Sequence, residues 1–133
     1  MKKDIEFPKV KEVGIGISLE EKEGTKFWQA FLINNSDDLI ETILISSKGF
    51  GSIDGKEKET ATMRHHFPAM PPYSAQPFEG LIMELTSLTN EFWVSYYRKG
   101  KLYDKKFVFV AESISEDNLV KLPIIEQKGV LIL

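Results

Sequence analysis

The chain has 133 residues, with 17 Lys and Arg against 20 Asp and Glu, a formal charge of -3 at pH 7 and no cysteine. That length fits one domain spanning 1–133 and burying roughly two thirds of its unfolded surface, with no need of a second. Disulfides and thiolate metal sites are excluded, and the acidic balance disfavours a general nucleic-acid binder.

Residues 1–12 are charged and carry Pro8, which predicts a loose entry segment. Charges at Asp4, Glu6, Lys9, Lys11 and Glu12 stand where a signal peptide would place apolar residues, so a cytoplasmic location is expected. No run reaches the 18 or so apolar residues of a membrane helix, and no membrane partner is expected. Val13 to Leu19 then alternates strictly, with Val13, Ile15, Ile17 and Leu19 on one face and Gly14, Gly16 and Ser18 on the other. The glycine face is either bare or approached closely by another group. After a charged turn at Glu20–Thr25, a strand is predicted over Lys26–Ile33; both of its faces are apolar, as in a central strand. Asn34–Asp38 supplies turn formers, and Ile40–Ser47 reads as a third strand.

Lys48–Glu59 is rich in Gly and charge and reads as a flexible surface loop. Thr60–Phe67 follows as a strand that points Met63, His65 and Phe67 one way and Arg64 and His66 the other. Prolines at 68, 71, 72 and 77 predict an extended crossing between sheets over 68–77, then a strand at Phe78–Leu85 interrupted near Gly80. The strongest fold signal is Glu91–Val110, two aromatic and β-branched runs about Lys99-Gly100. This is a β-hairpin with Arg98 opposite Lys101, Tyr96 opposite Tyr103 and Phe92 opposite Phe107. Its inner face carries Phe92, Val94, Tyr96, Tyr103, Lys105, Phe107 and Phe109; its outer face carries Trp93, Ser95, Tyr97, Leu102, Asp104, Lys106, Val108 and Val110. Lys105 must snorkel outward along its stem. Ser113–Glu116 has capping-box spacing and predicts one helical turn, and Gly129–Leu133 reads as an apolar strand buried in the sheet or against a partner.

Most constellations fail on spacing. Gly49 to Lys56 lacks the glycine spacing and the Ser or Thr of a phosphate loop, and Asn34–Asp38 with Asp54 does not match a calcium loop. No cofactor is expected. Arg64, His65 and His66 hold both histidines; neighbours on a strand face opposite ways, so the two imidazoles cannot share a metal, although either alone could be a general base. At the hairpin, Trp93, Tyr97, Lys99, Lys101 and Lys106 combine rings with cations in a way that stacks bases and neutralises phosphates. A solvated edge whose lysines discourage aggregation fits the same residues. No G-x-S-x-G elbow is present.

The order of segments WQAFLIN, LISSKG, TATMRHH, NEFWVSYY, KKFVF, SISEDNL and GVLIL resembles that of a family of short uncharacterised bacterial all-β proteins, over nearly the whole chain. The resemblance implies no activity and no catalytic residue.

These observations predict an all-β antiparallel β-sandwich, immunoglobulin-like in architecture, with about seven or eight strands and at most one short helical turn. The leading functional expectation is a non-enzymatic binding or assembly module with a protein or small-molecule partner. A homodimer is expected because strands 26–33 and 91–110 are apolar on both faces. A nucleic-acid or tRNA-associated module using the hairpin tip, and a small hydrolase or metal enzyme around His65 and His66, stand behind it.

Overall fold

The computed structural model describes residues 12–133, so the expected loose segment lies outside the described residues apart from Glu12. Ten strands follow in chain order: β1 Val13–Lys22, β2 Thr25–Asn34, β3 Ile40–Ile53, β4 Lys56–Glu59, β5 Met63–Met70, β6 Ser74–Ile82, β7 Thr89–Arg98, β8 Lys101–Phe109, β9 Val120–Lys121 and β10 Lys128–Ile132. They form two antiparallel sheets. One runs β6-β2-β1-β10-β9; in the other β3 pairs with β7, which pairs with β8, while β4 and β5 share the opposite flank of β3. The chain is an all-β sandwich. Its core interleaves Val13, Ile15, Ile17, Trp28, Ala30 and Leu32 of the first sheet with Ile43, Ile45, Phe92, Val94, Tyr96, Phe107 and Phe109 of the second.

The β7–β8 hairpin has the register its sequence predicts, from Arg98 opposite Lys101 to Phe92 opposite Phe107. Lys99 and Gly100 both take positive φ, 51° and 73°, as a two-residue type I′ turn requires. Lys105 does snorkel: its Nζ lies 4.8 Å from the centre of the Phe107 ring and donates to the Leu133 carbonyl oxygen at 3.1 Å.

The count of ten corrects the expected seven or eight. Two short strands account for the difference, β9 and, above all, β4. Lys48–Glu59 is a hairpin and not a flexible loop: β3 continues to Ile53, Ile53 pairs with Lys56, and Asp54 and Gly55 turn with φ of 52° and 76°. Its charges conceal the strand because β4 is exposed throughout and needs no apolar face. A second 3₁₀ turn, Met83–Ser87, occupies the end of the strand expected at 78–85 and joins the predicted one, now at Glu116–Asn118. The two exceed the single turn expected.

Proline does not exclude pairing here as the sequence suggested. β5 runs through Pro68 to Met70, β6 runs through Pro77, and the crossing between sheets shrinks to residues 71–73. Both strands lie at sheet edges, where a residue without an N–H is tolerated. Pro68 stands opposite Thr42, whose φ is 48°, in a β3–β5 ladder that keeps one register from Glu41 with Ala69 to Ile43 with Phe67. Pro77 sits beside a slip, where partners jump from Ala30 with Glu79 to Phe31 with Pro77.

The open question about the glycine face of β1 resolves as close approach. A Cβ on Gly16 would lie 3.0 Å from Leu122 and 2.9 Å from Ile33, and one on Gly129 would lie 2.8 Å from Leu122. Leu122, itself 1% exposed, plugs the outer side of the first sheet. Leu122→Ala should therefore cost about 3 kcal/mol, read from the urea midpoint at unchanged m. Tyr96 poses the reverse case. Its hydroxyl is buried with no hydrogen-bond partner among the described residues, and burial pushes its pKa far up. Tyr96→Phe should leave stability unchanged or raise it by about 1 kcal/mol in the same assay; a loss would reveal a hidden partner.

Candidate functional site

The sequence-predicted residues come from two separate segments, and sheet pairing brings most of them onto one surface. β5 pairs with β3 so that His66 is opposite Leu44 and Arg64 opposite Ser46. β7 continues the rows, with Ser95 beside Leu44 and Trp93 beside Ser46, and β8 ends them at Asp104 and Lys106. The outer face of the second sheet therefore reads His66, Leu44, Ser95, Asp104 in one row and Arg64, Ser46, Trp93, Lys106 in the next. Tyr97 lies beyond the first row, between Glu41 and Leu102; Glu91 lies beyond the second, between Lys48 and Val108.

This face is open. Leu44 is 50% exposed, Trp93 48%, Leu102 43% and Tyr97 41%. The Trp93 indole N–H donates to Asp104 Oδ1 on the next strand, and Lys106 Nζ lies 5.9 Å from the ring centre. The indole is thus held in place by β8. A shallow cleft of about 140 Å³ beside it is lined by Ser46, Lys48, Thr62, Glu91 and Lys106.

The first sheet offers no comparable surface at β2. Ile33, on the second face of that strand, is fully buried and Phe27 and Phe31 are half-buried. Of the two strands whose double apolar faces suggested self-association, only the hairpin leaves large side chains in solvent.

His65 is separated from the other candidates. It points to the inner side, 5.3 Å from the Phe78 ring, and its Nε2 lies 2.8 Å from Glu79 Oε1. Ser47 Oγ donates to the same oxygen at 2.5 Å. The β2–β6 bulge explains the meeting, because it turns successive residues inward: Phe78 packs on Phe92 at 5.7 Å while Glu79 reaches the second sheet. Serine, carboxylate and imidazole are present, but in the wrong order for nucleophilic catalysis. An activated serine donates to an imidazole that the acid orients, whereas here the acid lies between the two and takes the serine proton itself. The group latches the two sheets at their open edge, beside a cleft of about 240 Å³ that Ser47, Glu79 and Asn90 help to line. Sequence reasoning missed Glu79 and Ser47, since only the bulge brings them together. No cluster of three metal-ligating side chains occurs among the described residues.

The hairpin tip is less basic than its sequence suggests. Arg98 Nε donates to Asp38 Oδ2 at 2.8 Å, Lys99 lies 3.5 Å from Asp38 Oδ1, and Lys106 lies 3.5 Å from Glu91. Lys101 stands exposed beside the turn. The Asn34–Asp38 turn spends its oxygens internally: Asn34 Oδ1 accepts from Ser36 Oγ at 2.6 Å, and Asn34 Nδ2 donates to the Asp38 and Pro71 carbonyls.

No protein-family model and no curated protein matches the chain. Among the described residues no helix is long and apolar enough to cross a membrane.

The Asp38–Arg98 contact generates a pH prediction. The hydrogen bond from Arg98 holds the Asp38 carboxyl below its ordinary value of 3.8. A depressed folded-state pKa contributes stability that is complete above the unfolded value and is lost as pH falls through the folded one. Asp38→Asn should therefore lower the melting temperature by a constant amount at neutral pH, and the gap should close below 3.8. Thermal unfolding of both proteins across the acid range checks this.

Proposed function

We propose that the chain is a non-enzymatic binding or assembly module whose binding surface is the outer face of β5, β3, β7 and β8. One observation carries the reading: four large apolar side chains, Leu44, Trp93, Tyr97 and Leu102, lie exposed together on the outer face of the second sheet. Exposed aromatic side chains fixed at the centre of a patch with a polar rim are the usual anchors of protein interfaces. The cleft beside Trp93 holds about 140 Å³, below the roughly 300 Å³ at which small-molecule sites begin, and this favours a folded protein as the partner. A cytoplasmic location belongs to the same proposal and is supported by a chain without cysteine, which needs no oxidising compartment.

The two alternatives have less support. A nucleic-acid surface needs unpaired cations around its rings, and Lys99 and Lys106 are shared with Asp38 and Glu91. A hydrolase needs a free base, and His65 is committed to Glu79.

The test is a photo-reactive phenylalanine analogue placed at position 93 in the living cell. Irradiation should give discrete protein adducts from position 93 and none from an equally exposed position remote from the face, such as Thr25. Equal or absent adducts at the two positions would overturn the proposal.

A further inference from the structure

We infer that the occupant of this face is a second copy of the chain, docked about a two-fold axis that lies in the interface and crosses the strands between Leu44 and Ser46. The inference rests on the reading of the outer face as the binding surface, and it follows from the order of side chains along each strand. Facing outward, β3 carries Glu41, Leu44, Ser46 and Lys48; β7 carries Tyr97, Ser95, Trp93 and Glu91; β8 carries Leu102, Asp104, Lys106 and Val108. A two-fold across the strands lays each strand on its own copy in reverse. The first position then meets the fourth, and the second meets the third.

The resulting couples match in shape or charge, while Asp104 also keeps the Trp93 N–H and Lys106 its own Glu91. On β3, Glu41 meets Lys48 of the second copy, which also holds an ion pair to its own Glu59, and the Leu44 side chain fills the space over Ser46. On β7, Trp93 lies over Ser95 and the Tyr97 hydroxyl faces the Glu91 carboxylate. On β8, Asp104 meets Lys106 and Leu102 meets Val108. At the rim Arg64 meets the face of the His66 ring. Every couple occurs twice, so shape and charge agree on both sides of the axis.

The other two-fold available to face-to-face sheets, parallel to the strands, lays β5 on β8 and sets Arg64 against Lys106 as like charges. The crossing axis avoids that repulsion. From strand spacing and rise per residue, the face measures roughly 20 by 23 Å, or ~450 Å² per copy. That lies below a standard interface of about 800 Å² per partner, so the dimer is a weak, transient one.

Sedimentation equilibrium of the full chain up to several hundred micromolar tests the inference by charge reversal. Wild type should dimerise, Glu41→Lys and Lys48→Glu should each weaken the dimer tenfold or more, Glu59→Gln, which removes only the in-chain partner of Lys48, should leave the dimer unchanged, and the double variant E41K/K48E should return to within about threefold of wild type. Both positions are on the sheet surface, and unchanged thermal unfolding shows that the variants are folded. A monomeric wild type, single variants with no effect, or a double variant no tighter than the singles would overturn the inference. A monomer whose position-93 probe still gives adducts with another protein would do so while leaving the binding face standing.

Discussion

The structure depends on the register of the β7–β8 hairpin. A two-residue turn with positive φ at Lys99 and Gly100 sets Arg98 against Lys101 and so fixes every pair back to Asn90 and Phe109. Side chains alternate at each step, and a slip of one residue would exchange the faces. Phe92, Tyr96, Phe107 and Phe109 would turn to solvent, while Asp104 and Lys106 would turn to the core. The same turn that commits four aromatic side chains to the interior therefore commits Trp93 and Tyr97 to the surface. Core and candidate site are two sides of one geometric choice.

Bulges do for the sheet edges what that turn does for the centre. β5 and β6 carry Pro68 and Pro77 within paired segments because both are edge strands, and in β6 the proline also sits beside a slip in the ladder. The slip in β6 has a further consequence. By turning Phe78 and Glu79 inward together, it supplies both a ring for the aromatic chain through Phe92 to Phe109 and a carboxylate that joins Ser47 and His65 across the gap between sheets. The strand end nearest solvent is thereby closed by polar groups that satisfy one another. His65, whose sequence position suits a catalytic base equally well, is part of that closure.

The two sheets differ in how they finish their outer faces. On the first, glycines at 16 and 129 leave a hollow that Leu122 fills, so that apolar Ile33 is buried by the chain itself. On the second, large side chains alternate with serines, Leu44 with Ser46 and Trp93 with Ser95, and acids alternate with lysines. A face patterned in this way presents to any partner bumps, hollows and charges of both signs. Placed against its own reversed copy, the pattern sets large side chains over serines and acids over lysines, which is the ground on which we propose a second copy as the partner.

The sequence by itself determined the all-β class, the hairpin and its register, the strict alternation of β1 and the opposite facing of His65 and His66. Each of these is a local consequence of period-two geometry or turn chemistry, and needs no knowledge of distant residues. What only the tertiary structure decided is longer-ranged. The pairing of β5 with β3 places Arg64 and His66 on the same surface as Trp93, Tyr97 and Lys106 although some thirty residues separate them, and no local pattern encodes which strands become neighbours. The β3–β4 hairpin was hidden because an exposed edge strand carries no apolar alternation, and the Glu79 latch because a bulge breaks the periodicity by which facing is read. Asp38 likewise met Arg98 only through folding, which turned an apparently basic tip into a largely neutralised one.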